Sequence, residues 1–170
     1  MSNYISTFTN KIKNKAVPPV NDVLIAFRTL KNVPGGLTLL SKVVSRVAPY
    51  FQTVNPIINK LDVDVCEASI KKNKSIENHI GTVHVIAICN GLEFVMGVLA
   101  EASVPQHLRW LPKGMSVNYV AKADSDIKLV ATIDEEWKVG DMQIKVNAYR
   151  ADGQPVVQGY ITLWVTEKSK

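Results

Sequence analysis

The sequence predicts an α+β fold in which a curved antiparallel sheet wraps around one long central helix. Three observations carry that prediction. From His84 to Ala100 the chain is almost continuously apolar, which suits a helix buried on nearly all sides. Beyond it, four stretches alternate apolar and polar residues with the period of two that marks half-buried strands. Helices and strands are segregated along the chain rather than alternating, which favours an antiparallel sheet over a parallel one.

The elements follow in order. Pro18-Pro19 ends a loose N-terminal tail, and Asn21 or Asp22 is placed to cap a short helix carrying Val23, Leu24, Phe27 and Leu30. Pro34-Gly35-Gly36 stops it. A second helix presents Leu37, Leu40, Val43, Val44 and Val47 at helical spacing, and Pro49 closes it. The stretch from Tyr50 to Lys60 is ambiguous apart from a turn at Asn55-Pro56. Leu61, Val63 and Val65 alternate with Asp62 and Asp64 as one strand, with a bulge near Cys66 or Glu67 where the apolar phase slips to Ala68 and Ile70.

After the central helix, a loop holding Pro105 and Pro112 precedes four alternating runs. They are Met115–Ala121, Ile127–Ile133, Met142–Ala148 and Val157–Val165. Asp152-Gly153 signals a type I′ hairpin, and Gly140-Asp141 and Ala123–Asp126 read as the other hairpin connections of a meander. Residues 1–60 are an N-terminal helical extension and 61–170 the sheet-and-helix unit, together one structural domain.

Composition bounds the function. The chain of 170 residues is 46% hydrophobic and 21% charged, enough to build a core and too apolar for disorder. Cys66 and Cys89 sit in different elements without metal-ligand spacing, so neither a disulfide framework nor a metal site is expected. The N-terminus has no apolar core of a secretory signal, and the central helix has the wrong flanks for a membrane span. A soluble, cytoplasmic protein with no membrane partner is expected. A net charge of +5 suits a polyanionic partner such as a phosphorylated ligand or an acidic carrier. No stripe of cations interleaved with aromatics points to nucleic acid. Lys71-Lys72-Asn73-Lys74 reads as a solvated connection ahead of a phosphate site.

Glu93 is the residue that most needs explaining. A carboxylate inside an apolar helix must be paired, protonated or facing a wet cavity, and burial would raise its pKa toward that of a general base or acid. Gly97, one turn on, leaves room for a ligand chain, while Gly91 suits close packing. Glu101 reads as an ordinary terminal charge. Thr82 is placed to cap the helix and aim its first N–H groups at an oxyanion. His84 and Glu93, nine residues apart, fall on opposite sides of a helix. If one site uses both, a second copy of the chain must supply one of them.

Asn78, Gly81, His84 and Glu93 together resemble the motif of the hotdog-fold thioesterases of the phenylacetate-pathway type. That motif runs Asn, Gly, a short gap, His-Gly-Gly, then an acidic residue nine positions after the His. Here His84-Val85-Ile86 stands in place of His-Gly-Gly. The element order over residues 61–166 is similar to the hotdog fold, and the N-terminal helices are similar to an extension in a branch of unassigned function. The resemblance implies an acyl-thioester hydrolase, its acyl group on coenzyme A or a carrier protein. No cofactor is implied beyond coenzyme A as part of the substrate.

It also implies a homodimer, with a tetramer as the larger alternative. Glu93 would be the base or nucleophile, and Asn78 and His84 would position the thioester. Backbone donors would come from Gly81, Thr82, His84 and Val85. Gly97, Asn90 and His79 would contact substrate, and Arg109 and Lys113 would meet phosphates or serve as solvated surface charges. The alternative is a non-catalytic acyl- or coenzyme A-binding protein on the same fold.

Overall fold

The structure, a computed structural model, describes residues 21–169. The loose tail, Pro18-Pro19 and the sequence read for a secretory signal lie outside the described residues. Helix α1 (Asp22–Leu30) begins at the expected cap, with Asn21 Oδ1 accepting the Val23 N–H at 3.4 Å. Helix α2 (Gly36–Val47) turns sharply away from it. A Cβ at Gly36 would overlap the Leu30 carbonyl, so this corner requires glycine. Buried Ser41 ties α2 to the sheet, donating to Leu37 O at 2.7 Å and accepting the Ile58 N–H at 2.9 Å. A 3-10 turn, Pro49–Thr53, follows.

Strands β1 (Ile57–Leu61) and β2 (Val65–Ile70) form a hairpin, where the alternation predicts one strand starting at Leu61. The Asp62 carboxylate accepts the Val63 N–H at 2.9 Å and the Asp62 N–H donates to Val65 O at 2.8 Å. This aspartate-built turn reverses the chain inside the alternating pattern and leaves Val63 exposed. The predicted bulge at Cys66 or Glu67 is absent, since β2 pairs without a break and buries Cys66, Ala68 and Ile70 in one phase. The register shift is in β1, between Ile58 and Lys60.

Helix α3 (Val85–Ser103) precedes β3 (Leu108–Tyr119), β4 (Ile127–Thr132), β5 (Gly140–Arg150) and β6 (Pro155–Glu167). The six strands form one antiparallel sheet in the order β1-β2-β4-β5-β6-β3, curved around α3. The predicted meander therefore needs a correction at β3. Strand β4 has β2 on one side and β5 on the other, so β3 has no place beside it and pairs with β6 at the sheet edge. Ala123–Asp126 is consequently part of a crossover rather than a hairpin. Strand β3 also starts earlier than its alternation suggests and includes Pro112, whose missing N–H an edge strand tolerates.

Two turn expectations change as well. Gly140 opens β5 at φ 105 instead of forming a connection. Asp152-Gly153 does lie in a hairpin, but positive φ occurs only at Gly153 of the pair. With Gly153 N–H donating to Arg150 O at 2.9 Å, the loop is a turn ended by a left-handed glycine, not type I′.

Sheet and helix share one core. Ile88, Leu92, Val95 and Leu99 of α3 are buried with Leu129, Met142, Ile144 and Val146 of the sheet. A Cβ at Gly91 would come within 2.5 Å of a Leu129 methyl, so this glycine sets how closely α3 lies on β4. On its flank, α3 meets α1 and the 3-10 turn, where Phe51 and Phe94 stack edge-on at 5.4 Å. By length and composition α3 could cross a membrane, yet here it is the central core helix. It is not enclosed on every side, as its sequence suggests, because Ile86 and Glu93 are exposed.

Gly159 of β6 faces Val117 of β3, and a Cβ there would overlap the Ser116 carbonyl. Gly159→Ala is therefore expected to push β3 off the sheet edge and cost about 1–3 kcal/mol in urea unfolding. An unchanged unfolding midpoint would contradict this packing.

Candidate functional site

The site starts in the loop that delivers the chain to α3. Lys72 and Lys74 bond the Glu77 carboxylate at 2.8 and 3.1 Å and hold it below the usual carboxylate range. The basic run thus secures the loop from one side, and an isolated bridge between Glu77 and Val83 closes its base. Within the loop, Asn78 is fully engaged. Its Oδ1 accepts the N–H groups of Ile80 and Thr82 at 3.2 and 3.1 Å, and its Nδ2 donates to Thr82 Oγ1 at 2.8 Å. Gly81 takes the left-handed conformation that this turn needs, at φ 75. Asn78 and Thr82 shape the backbone here instead of pointing at a ligand.

His84, not Thr82, is the N-cap of α3. Its Nδ1 accepts the Ile86 N–H at 3.1 Å. An accepting Nδ1 is unprotonated, so the neutral ring carries its proton on Nε2, and that face is exposed. The backbone donors proposed from sequence divide sharply. Gly81 N–H donates to Asn78 O, Thr82 N–H to Asn78 Oδ1, and His84 N–H to Ile76 O at 2.7 Å. Val85 N–H takes no partner among the described residues. It is the uncommitted amide of the first turn, at the positive end of the α3 dipole.

Glu93 is exposed and forms no ion pair among the described residues, so the buried carboxylate expected from sequence is instead an accessible one. It shares a stripe of α3 with Gly97 and Glu101, and all three line a cleft of about 1210 Å³. The cleft's other walls include Val43, Val47 and Phe51 from the extension and Trp110 of β3. Gly97 lies under Trp110, 3.7 Å from a would-be Cβ to the ring edge. His84 and Glu93 are separated by about 13 Å along the axis and half a turn around it, so one chain does not bring them together.

Other candidates stand apart from this cleft. Asn90 is buried against the extension, donating to Tyr50 O and Thr53 Oγ1 at 3.2 and 3.1 Å. His79 is exposed on the loop. Arg109 Nε donates to Thr166 Oγ1 at 3.0 Å, and Lys113 pairs with Asp141 at 2.8 Å above the Trp164 ring. Cys66 and Cys89 are both free thiols, and burial pushes both upward in pKa, which leaves them unreactive.

Glu101 is the residue that sequence reasoning passed over. It is more than half buried, and desolvation raises its pKa. The Trp110 indole N–H lies near enough to oppose part of that rise, although it makes no well-formed hydrogen bond. Its spacing of i, i+4, i+8 with Glu93 and Gly97 was the available signal.

Residues 36–165 match the family described as Domain of unknown function (DUF4442). No curated protein matches. Among solved structures, the chain is similar to a genomics target, APC5556, at 34% identity. That alignment covers 86% of this chain and 98% of the other, with a TM-score of 0.75. It is also similar in fold to a thioesterase family protein from Silicibacter pomeroyi, at 16% identity, 75% and 96% coverage and a TM-score of 0.66. The thioesterase HI1161 from Haemophilus influenzae gives 14% identity, 77% and 90% coverage and a TM-score of 0.66. The fold is the hotdog fold that these solved structures share.

A raised carboxyl pKa has a signed consequence for stability. Ionised Glu101 opposes folding above its folded-state pKa, and the opposition vanishes below its unfolded value near 4.5. Glu101→Gln is expected to raise Tm at pH 7 to 8 and to give no gain near pH 4. A Tm lowered at pH 7 would contradict this account.

Proposed function

This chain belongs to the DUF4442 family, and from its site we propose that it hydrolyses an acyl thioester at a site completed by a second subunit. The observation that carries the reading is a pair of uncommitted groups on α3. Glu93 offers an accessible carboxylate beside Gly97, and Val85 offers a free N–H at the helix start. They face different directions on one helix, so a site using both draws one from each of two copies. The twelve-residue β3 at the sheet edge has one side without a strand partner among the described residues, a surface suited to joining two sheets. The fold shared with solved thioesterases supports the same reading.

In this mechanism the Glu93 carboxylate takes a proton from water as the water oxygen bonds the thioester carbon. Alternatively, the carboxylate attacks that carbon itself and water resolves the resulting anhydride. In either route the carbonyl oxygen gains negative charge, and the partner copy's helix start is the donor that meets it. In the water route Glu93 passes that proton to the thiolate as the C–S bond breaks; in the anhydride route the thiolate leaves first and takes its proton from solvent, and the later water cleaves the anhydride to free acid and regenerated Glu93. His84 Nε2–H would hold the thioester, while Asn78 acts through the turn that fixes His84 and Val85. Replacement of two glycines by Val85 and Ile86 leaves the backbone donor intact but narrows the approach to it.

The acyl group would ride on coenzyme A or a carrier protein in the cytoplasm, with Arg109 the better placed of the two cations for phosphate because Lys113 is already paired. Thiol release from a panel of acyl-coenzyme A substrates tests the reading. Wild type is expected to turn over at least one chain length, and Glu93→Gln to lose at least a hundredfold in kcat with an unchanged Tm. A Glu93→Gln variant as active as wild type would overturn it.

A further inference from the structure

The cleft beside Glu93 continues well past the reacting group. Glu101 lies two helical turns further along the same stripe, about 12 Å away. Gly97 between them leaves the floor open, with the Trp110 ring on one side. The opposite wall does not come from the sheet. It comes from the N-terminal extension, through Val43 and Val47 of α2 and Phe51 of the 3-10 turn. Helix α2 packs on α1 and β1 rather than on α3, which is why a gap remains between α2 and α3. Val43 and Val47 are 39% and 40% exposed and turn toward the cleft.

We propose that this gap is the acyl-chain site, that α2 determines its width, and that it takes unbranched chains of on the order of ten carbons with Glu101 marking the far end. The proposal rests on the thioester reading for the position of the acyl carbonyl near Glu93. An extended chain advances about 1.25 Å per carbon, so the distance from Glu93 to Glu101 corresponds to about ten carbons. Up to that length the chain would run beside Val43, Val47, Phe51 and Trp110. Beyond it, the chain runs into a carboxyl group. The raised pKa of Glu101 agrees with a group already short of water before any chain arrives. The extension then has a function of its own, as the specificity wall of a cleft whose floor belongs to the hotdog unit.

S-alkyl pantetheine thioethers of two to sixteen carbons test this directly. They carry the arm common to coenzyme A and carrier proteins and have no bond to hydrolyse. By calorimetry, wild-type affinity is expected to rise about fourfold per methylene and level off near ten carbons. Val47→Trp should weaken the ten-carbon ligand at least tenfold and leave the two-carbon ligand unchanged. Leu39→Trp, an exposed position of α2 outside the cleft lining, should bind as wild type. No dependence on chain length in wild type, or equal effects from the two tryptophans, would overturn the proposal. Chain-dependent binding without thioester turnover leaves this site standing and removes the hydrolase reading. Turnover of short thioesters without chain-dependent binding does the reverse.

Discussion

A nineteen-residue apolar helix cannot stand in water, and most of the sheet, helix α1 and the 3-10 turn are arranged around covering α3. The curved sheet takes the largest share, with Gly91 letting the helix settle onto Leu129. Helix α1 and the Phe51–Phe94 contact take a second flank. Geometry leaves a third face, because a sheet curves around one side only and α2 is held off by its own attachment to β1 through Ser41. Polar and small residues occupy that uncovered face. Glu93, Gly97 and Glu101 lie along it, with Ile86 the exposed apolar residue at its start.

The same constraint separates the two halves of the chemistry. The loop before α3 spends nearly all its hydrogen-bonding capacity on itself: Asn78 on two amides and a hydroxyl, His84 on the Ile86 amide. Among the described residues, the Val85 N–H and the far nitrogen of His84 remain free. A carboxylate nine residues beyond His84 points the other way. The fold thus keeps the Val85 N–H and the Glu93 carboxylate out of each other's reach on one chain, and in the proposed reading a second copy docked along β3 brings them together.

Much of the architecture was legible in the sequence because it rests on periodicity. The central helix, the strands after it and both N-terminal helices follow directly from apolar spacing. Errors arose where one local pattern fits two structures. Leu61, Val63 and Val65 alternate as a strand does, yet the two flanking aspartates can bond the backbone and turn it. The place of β3 beside β6 is a long-range pairing that no local pattern encodes. The apolar run around Glu93 implies a buried carboxylate, and the structure exposes it. Glu101 reads as a helix-end charge, because the fold of β3 that brings Trp110 beside it is not encoded in the helix itself. The Val85 amide could not be distinguished from its neighbours until each neighbour's partner was known.

The central claim is that one catalytic site takes its acid and its backbone donor from two chains. Mixed dimers test it most directly. Glu93→Gln removes the acid, and Val85→Pro removes the donor at the first helical position, where proline is well accommodated. Each variant alone should be inactive while folded and dimeric. Refolded together in equal amounts, half the dimers pair one of each, and half of their sites have both wild-type groups. Activity should return to about one quarter of wild type. A mixture as inactive as its components, with heterodimers shown to form, would contradict a shared site.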